Sequence, residues 1–257
     1  VDLYNDIFRF QESLIATLSA DAVLQSVPVA GNHPLITPEK LLFSDGIRTL
    51  LASALGELCS LVSARNNGLD FHVLKDLIEG GEMSAEQLAV PVMMHDIEAI
   101  ERNALKTRLG IEVYVFVVQN WLRPFMSVVA EKYGDSVDDP QWQENRCPVC
   151  GSLPDISMQA DSLEGKRILH CSICEHRWTF PRITCTVCGN DDATKLGYFD
   201  IDGDERYRLH YCEECRGYIK VVRVAKFQSP DSCDAVVENI VTAFLDSSAM
   251  DKGYLRP

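Results

Sequence analysis

Four cysteine pairs of one spacing decide the fold of this chain: Cys147-Pro148-Val149-Cys150, Cys171-Ser172-Ile173-Cys174, Cys185-Thr186-Val187-Cys188 and Cys212-Glu213-Glu214-Cys215. They contain eight of its ten cysteines. A Cys-x-x-Cys turn directs two sulfurs at one point, and two such turns supply the four thiolates of a tetrahedral metal site. The sequence therefore predicts two metal ions per chain, each bound by four cysteines.

The gaps between the pairs indicate which turns share a site. The two longer gaps hold 20 and 23 residues, whereas the middle gap holds ten. Each longer gap contains a hairpin signal, Glu164-Gly165 or Asp202-Gly203, and then a Leu-His strand into the next turn. This repeat, offset by 38 residues, predicts two tandem ribbons, because a cross-braced pairing would break it. The predicted ligands are Cys147, Cys150, Cys171 and Cys174 in the first site and Cys185, Cys188, Cys212 and Cys215 in the second.

Glycine follows the second cysteine of both leading turns, at Gly151 and Gly189. A residue there often needs a positive φ, so that backbone N–H groups can point at the sulfurs, and glycine adopts it without steric cost. The trailing turns have Glu175 and Arg216 instead. Four structural disulfides or a thioredoxin-like redox motif fit this spacing less well, because four equal Cys-x-x-Cys pairs are typical of metal sites. Four thiolates accept iron or zinc, so the pattern leaves the metal open.

Charge and hydropathy exclude some functions. The segment from Arg146 to Lys226 has twelve basic and twelve acidic residues, so the rest of the chain carries the whole net charge of −14. An acidic surface repels phosphate backbones, which disfavours nucleic-acid binding. We find no run of 18 apolar residues and therefore expect no membrane span. The first residues do not have the pattern of a signal peptide, and together with the paired cysteines this predicts a cytoplasmic protein.

Hydrophobic periodicity predicts an α+β chain with a helical first half. We expect a helical bundle over residues 1–134, a first ribbon over 146–184, a second over 185–228 and a C-terminal helix over 229–250. Within the bundle, periodicity predicts helices over 3–26, 40–65, 69–78, 84–89, 92–107 and 111–132, with the second as the central helix. A short extended run after each trailing turn predicts a third strand in each ribbon. The last residues, from Lys252, are expected to be unstructured.

Other candidate functional residues are few. His170, His176 and His210 lie near the cysteines, but four thiolates already complete each tetrahedron, so we do not expect them to be ligands. Cys59 lies in an apolar helix and is expected to be a buried packing residue. The sequence shows no Ser-His-Asp set, phosphate loop or pair of catalytic carboxylates. We therefore expect no catalytic residues and no enzyme activity.

The motifs together resemble the formate dehydrogenase accessory proteins, the FdhE family. They are Cys147-Pro-Val-Cys-Gly-Ser-Leu-Pro, Leu169-His-Cys-Ser-Ile-Cys-Glu-His-Arg-Trp, Arg182-Ile-Thr-Cys-Thr-Val-Cys-Gly, Cys212-Glu-Glu-Cys-Arg-Gly-Tyr-Ile-Lys and Leu245-Asp-Ser-Ser-Ala-Met-Asp-Lys-Gly-Tyr. The resemblance implies a helical bundle with two rubredoxin-like modules, in which the eight cysteines hold iron. It also implies a cytoplasmic, non-enzymatic protein that acts on the formate dehydrogenase catalytic subunit and is needed for its activity.

Two functions of other classes stay open at this point. A rubredoxin-like iron site can cycle one electron, so the chain could be an electron carrier. Ribbons also commonly bind nucleic acid, although the charge of this chain disfavours that function.

Overall fold

The computed structural model describes residues 2–19, 34–36, 45–66, 68–137, 142–160, 163, 166–224 and 229–256. These residues form two compact units. The first comprises Val1–Ser136 together with Val149–Gly151 and Ile173–Glu175, and the second comprises Val137–Pro148, Ser152–Ser172 and His176–Pro257. The predicted α+β fold, with a helical N-terminal region, a sheet and a C-terminal helical segment, is confirmed. The proposed boundaries at 134, 184 and 228 stay predictions.

The described residues of the first unit form six α-helices. They are α1 (Asp2–Leu18), α2 (Asp45–Arg65), α3 (His72–Glu79), α4 (Ala85–Met94), α5 (Ile97–Thr107) and α6 (Ile111–Tyr133). The predicted helices over 3–26 and 40–65 are observed from 2 to 18 and from 45 to 65. Residues 20–26 and 40–44 lie outside the described part of the chain. Helix α6 keeps its helical form through Pro124, as its spacing of apolar residues predicts.

Helix α6, rather than α2 as expected, is the central helix of this unit. It packs against α1, α2, α4 and α5 and has twelve buried residues. Two of its buried polar atoms have these partners: the Trp121 Nε1 donates to the Leu51 carbonyl at 2.8 Å, and the Tyr114 hydroxyl donates to the Leu88 carbonyl at 2.8 Å. Satisfied polar groups of this kind let large amphipathic side chains fill a core without a desolvation penalty.

Two helices are long and apolar enough to cross a membrane, judged by length and composition alone. They are Ile47–Arg65 and Ile111–Ser136, with 39% and 67% of the apolar window buried inside the protein. The core helices of water-soluble bundles meet the same two criteria. Their mean hydropathy is therefore weak evidence for a membrane span.

The predicted helix over 92–107 is wrong at its start. Residues 92–94 end α4, and the chain then turns through His95, whose φ is 58°. Asp96 begins α5 by accepting a hydrogen bond from the Ala99 amide at 3.1 Å. An aspartate N-cap satisfies an amide that the first helical turn leaves without a partner, so a new helix starts there.

Six strands form one sheet in the second unit: β1 (Pro154–Gln159), β2 (Lys166–Cys171), β3 (Arg177–Pro181), β4 (Leu196–Ile201), β5 (Asp204–Cys212) and β6 (Tyr218–Arg223). Their order is β3-β2-β1-β6-β5-β4. Each cysteine repeat supplies an antiparallel meander of three strands, so the predicted third strands are present. The parallel pairing of β1 with β6, with Ile156 opposite Lys220, joins the two meanders.

The C-terminal segment differs from the expectation in two ways. The predicted single helix is divided at Thr242 into α7 (Ala235–Val241) and α8 (Ala243–Asp251). Leu245 is buried, whereas Val241 and Phe244 are more than half exposed.

The expectation of an unstructured tail is also wrong. Tyr254 is 4% exposed, its hydroxyl donates to Glu213 at 2.7 Å, and Leu255 forms a bridge with Gly217. Its ring lies 4.7 Å from that of Tyr211 and 5.8 Å from that of Phe199, both on the sheet. Burial of these aromatic rings holds the tail in place.

Candidate metal centres

All four cysteine turns close with the same backbone hydrogen bond. The amide of the first cysteine donates to the carbonyl five residues later. These bonds are Cys147 to Ser152 at 2.9 Å, Cys171 to His176 at 3.0 Å, Cys185 to Asn190 at 2.7 Å and Cys212 to Gly217 at 3.0 Å. The shared closure shows that the four sequence motifs are one structural unit used four times.

The residue after each second cysteine has a positive φ, as the glycines predict. The angles are 79° at Gly151, 62° at Glu175, 75° at Gly189 and 58° at Arg216. The left-handed conformation costs a non-glycine residue about 1–2 kcal/mol. Arg216 offsets this cost through its own contacts, since its guanidinium lies 4.1 Å from the centre of the Tyr254 ring and donates to the Lys252 carbonyl at 3.1 Å.

The eight cysteine sulfurs form two groups of four. Cys147, Cys150, Cys171 and Cys174 make the first, and Cys185, Cys188, Cys212 and Cys215 make the second. Within each group the sulfurs lie within 4.8 Å of one another, close enough to hold a metal ion. The grouping follows the predicted tandem repeat and not the cross-braced alternative. The assignment of these eight residues as metal ligands stays a prediction.

The second group fits a tetrahedral ion in its distances and its donors. The Cys185 and Cys215 sulfurs are 3.7 Å apart, and those of Cys188 and Cys212 are 3.9 Å apart. A tetrahedron with metal–sulfur bonds of 2.3 Å has an edge of about 3.8 Å. The amides of Val187 and Gly217 point at the sulfurs of Cys185 and Cys215, at 3.4 and 3.3 Å. Such N–H groups stabilise thiolate charge.

Protonation of two of these thiols competes with a bound cation. Burial raises the pKa of the Cys185 thiol to about 11 and raises that of Cys215 further. Thiolates at Cys185 and Cys215 are therefore unfavourable by themselves near neutral pH, whereas a divalent cation supplies the compensating charge. We expect metal binding to release protons and to weaken as the pH falls.

The two groups differ in their exposure to solvent. All four cysteines of the first group are buried. In the second group Cys188 is exposed and Cys215 is partly exposed. The first group therefore has the burial of a structural centre, while the second is open to solvent on one side.

The three histidines lie outside both groups. The Nδ1 of His170 lies 2.8 Å from a carboxylate oxygen of Asp155, and both side chains are buried. Burial, followed by the positive charges of Arg167, Arg208 and Arg182, lowers the pKa of His210 to about 3. His210 is therefore neutral at physiological pH. Cys59, outside both groups, is fully buried, as expected for a packing residue.

Sequence reasoning missed some residues that support the second group. The Nδ2 of Asn190 points at the Cys212 sulfur at 3.8 Å. The Asn145 amide donates to the Val187 carbonyl at 2.6 Å and fixes the turn from outside the repeat. Asn190 follows Gly189 directly and could have been found from its position. Asn145 lies 42 residues from its partner and has no signal in the sequence.

Alanine at Gly189 is expected to lower the free energy of unfolding by about 1–2 kcal/mol, because the positive φ disfavours any Cβ. No atom of the described residues lies within 4 Å of that Cβ, so backbone strain alone produces the effect. Gly56, in the middle of α2, is the matched control, since its Cβ also meets open space. Gly56→Ala should stabilise the helix by about 0.5–1 kcal/mol. Urea unfolding followed by circular dichroism measures both, and equal effects of one sign would contradict the argument.

Comparisons with known proteins show which family the cysteine-rich region resembles. A family model described as "FdhE, central domain" matches residues 146–182, which contain the first cysteine group. A "Protein FdhE homolog" of Shewanella oneidensis is 43% identical over 113 residues, or 44% of this chain and 36% of that protein. The cysteine-rich region is similar to that of FdhE proteins. The resemblance predicted from the four motifs is confirmed.

Further FdhE relatives cover more of the chain. A "Protein FdhE homolog" of Aquifex aeolicus is 29% identical over 165 residues, or 63% of this chain and 56% of that protein. One of Actinobacillus pleuropneumoniae is 31% identical over 169 residues, or 63% of this chain and 52% of that protein. The chain therefore matches between a third and somewhat more than half of the length of these three relatives. The crystal structure of the FdhE protein from Pseudomonas aeruginosa has the same fold, with a TM-score of 0.52 at 20% identity over 97% of this chain and 90% of that one.

Proposed function

We propose that this protein is a cytoplasmic accessory factor that binds the formate dehydrogenase catalytic subunit and is needed for the activity of that enzyme. It has no turnover of its own in this proposal. The observation that carries it is the pair of four-cysteine groups in a chain with FdhE-type motifs. A metal held by four thiolates has no open position for a substrate, which favours a structural or electron-transferring centre over a hydrolytic one.

The metals are proposed to be iron, or else zinc, with one ion in each group. Each would hold two cysteine turns together, and so would position the strands that follow them. The binding surface for the partner then depends on the folded sheet. A ribbon of this size buries too little apolar surface to fold alone, so metal binding and folding are coupled.

The test is co-purification of the tagged protein with the formate dehydrogenase catalytic subunit. The variant carries Cys185→Ser and Cys188→Ser, which removes two ligands of the more exposed group. We expect at least a tenfold loss of recovered subunit and a matching loss of formate dehydrogenase activity in the cell. A tenfold loss of affinity requires a loss of only about 1.4 kcal/mol of binding free energy, which a disordered binding surface readily exceeds. Cys233→Ala is the matched control, since Cys233 belongs to neither group. A wild-type protein that fails to retain the subunit would refute the proposal.

A rubredoxin-like electron carrier is the second candidate. The exposure of Cys188 favours it, because an electron-transfer centre has to approach its partner closely. Cyclic voltammetry on the iron-loaded protein tests this function. A reversible one-electron wave that is lost in the Cys185→Ser, Cys188→Ser variant, together with wild-type maturation of formate dehydrogenase by that variant, would favour the carrier over the accessory factor.

A further inference from the structure

A cavity of about 280 Å³ lies within the second unit, beside the second cysteine group. Strands β4 and β5 and the segment 182–187 form its walls, and Cys185 and Cys212 are among its lining residues. Its volume is close to the lower end of the range for small-molecule sites. Neither the metal centres nor the accessory function gives this cavity a role.

Apart from the cysteines of the second group, the charged residues of the cavity are all cationic. Arg167, Arg182 and Arg208 line it, and the described lining residues include no aspartate or glutamate. This composition contrasts with the net charge of −14 for the chain. A concave site with one sign of charge concentrates ligands of the opposite sign.

The three arginines differ in how their charges are compensated. Arg208 pairs with Asp200 at 2.6 Å and stacks on the Tyr198 ring at 3.9 Å. Arg182 is exposed, and no ion pair to it is found among the described residues. Arg167 is 2% exposed, and no carboxylate of the described chain lies within ion-pair distance of it. A buried arginine without a carboxylate partner is rare, because a buried charge is costly unless it is paired.

Two buried N–H donors at this cavity also have no partner. They are the Nε of Arg167 and the Nε2 of His210, both without a hydrogen bond in the described part of the protein. The Nδ1 of His210 lies 3.5 Å from an Arg167 Nη1, which can only donate. Because the guanidinium can only donate, Nδ1 is the accepting nitrogen of this pair and Nε2 is the nitrogen that carries a proton. Both unsatisfied groups are donors, so an acceptor is what would complete them.

The cysteine group explains only part of this arrangement. Four thiolates around a divalent ion have a net charge of −2, which attracts the Arg167 guanidinium. The guanidinium, however, donates one Nη2–H to the Thr184 carbonyl, and no sulfur accepts from its Nε. The cluster charge therefore accounts for the position of Arg167 and leaves its free donor unexplained.

We propose that this cavity binds a small oxyanion, a carboxylate or phosphate group carried on a compact apolar or aromatic body. Arg167 and Arg182 pair with the oxyanion, and the Nε2 of His210 donates to it. The remaining walls fit the body of such a ligand, since Ile183, Leu196, Tyr198 and Tyr211 line them. A guanidinium suits both anions because its planar fork matches two oxygens.

Isothermal titration of the metal-loaded chain tests the site with three probes that share one ring: benzoate, phenyl phosphate and neutral benzamide. We expect at least one anion to bind with a Kd of about 1 mM or below and at least tenfold more tightly than benzamide. The preferred anion distinguishes the carboxylate from the phosphate. Equal binding of benzamide, or no binding of either anion, would overturn the proposal.

Two arginine variants then locate the binding. Arg182→Gln should weaken binding of the preferred anion about fivefold, as expected for an exposed charge pair. It should leave the metal content unchanged. Arg223→Gln is its matched control, because Arg223 is also exposed but lies outside the cavity. Arg167→Met should weaken binding of the preferred anion tenfold or more. Metal content and circular dichroism show whether that variant has folded. Wild-type affinity in both Arg182→Gln and a folded Arg167→Met would show that the arginines only balance the cysteine group.

Discussion

Serine at Cys147 and Cys150 should reduce the metal content from two ions per chain to one, because these residues are half of the ligands of the first group. Elemental analysis of anaerobically purified protein measures the loss, and the visible spectrum then tells iron from zinc. The Cys185→Ser, Cys188→Ser variant should lose the other ion. A Cys233→Ala variant should keep both, since Cys233 lies outside the two groups.

Of the two double variants, Cys147→Ser, Cys150→Ser should also have the larger effect on stability. The four cysteines of the first group are all buried. Serine at two of these positions therefore places hydroxyl groups away from water, with no metal ion to bind them. Structural zinc contributes roughly 10–16 kcal/mol of binding free energy in small zinc-binding peptides, and that energy is folding energy. We therefore expect a loss of at least about 5 kcal/mol for the second unit, measured by urea unfolding.

The joined sheet gives this prediction a further test. Because β1 and β6 pair directly, the two meanders lie side by side in one sheet. Loss of the first ion should lower the unfolding midpoint of the second meander, even though its own cysteines are intact. Loss of both ions from the Cys147→Ser, Cys150→Ser variant while the second meander stays folded would contradict two independent sites.

The local features of the metal centres could be predicted from the sequence. A Cys-x-x-Cys turn, a following glycine and a hairpin signal all act within a few residues, so the pairing of turns and the positive φ of Gly151 and Gly189 follow from spacing. The positive φ of Glu175 and Arg216 has no such signal. Contacts with residues far away in the chain, such as Tyr254 beneath Arg216, make that conformation acceptable.

The long-range features could not be predicted in this way. The parallel pairing of β1 with β6 joins residues more than 60 positions apart, and the hairpin signals say nothing about it. The burial of Lys220 in β6 is likewise not indicated by the sequence, since a lysine is normally exposed. The order of the tail depends on rings from β4 and β5 that close around Tyr254. Periodicity finds elements, but tertiary packing decides which of them meet.

Lys220 is a buried charge in the middle of this sheet, with 2% of its side chain exposed. Its Nζ donates to an Asp246 carboxylate oxygen at 2.8 Å and to the Asn239 carbonyl at 2.7 Å. The other Asp246 oxygen accepts from the Tyr218 hydroxyl at 2.7 Å. We expect Asp246→Asn to lower the free energy of unfolding by about 3–5 kcal/mol, because it leaves the buried ammonium without its counter-charge.

Two controls separate the charge from the packing. Asp251→Asn, on the same helix but exposed, should change the stability by less than about 0.5 kcal/mol. The double variant Lys220→Met, Asp246→Asn should recover much of the loss, since it removes both buried charges. A double variant as unstable as Asp246→Asn alone would show that the hydrogen bonds of Asp246, and not the charge of Lys220, carry the effect.

The stability of the pair should also depend on pH in one direction. Burial, followed by the charge of Arg256, lowers the pKa of Lys220 from 10.5 to about 8, although Asp246 opposes the shift. Between these two values the unfolded chain binds more protons than the folded chain, so stability rises with pH across that window. Below about pH 8 the lysine is charged in both states and contributes no slope. Urea unfolding from pH 7 to pH 10.5 measures the free energy of unfolding of the wild type and of Lys220→Met. Subtracting the variant's value from that of the wild type removes the contributions of the thiols and tyrosines, which both proteins share. A difference that stays flat or falls as the pH rises would show that Asp246 keeps Lys220 protonated in the folded protein.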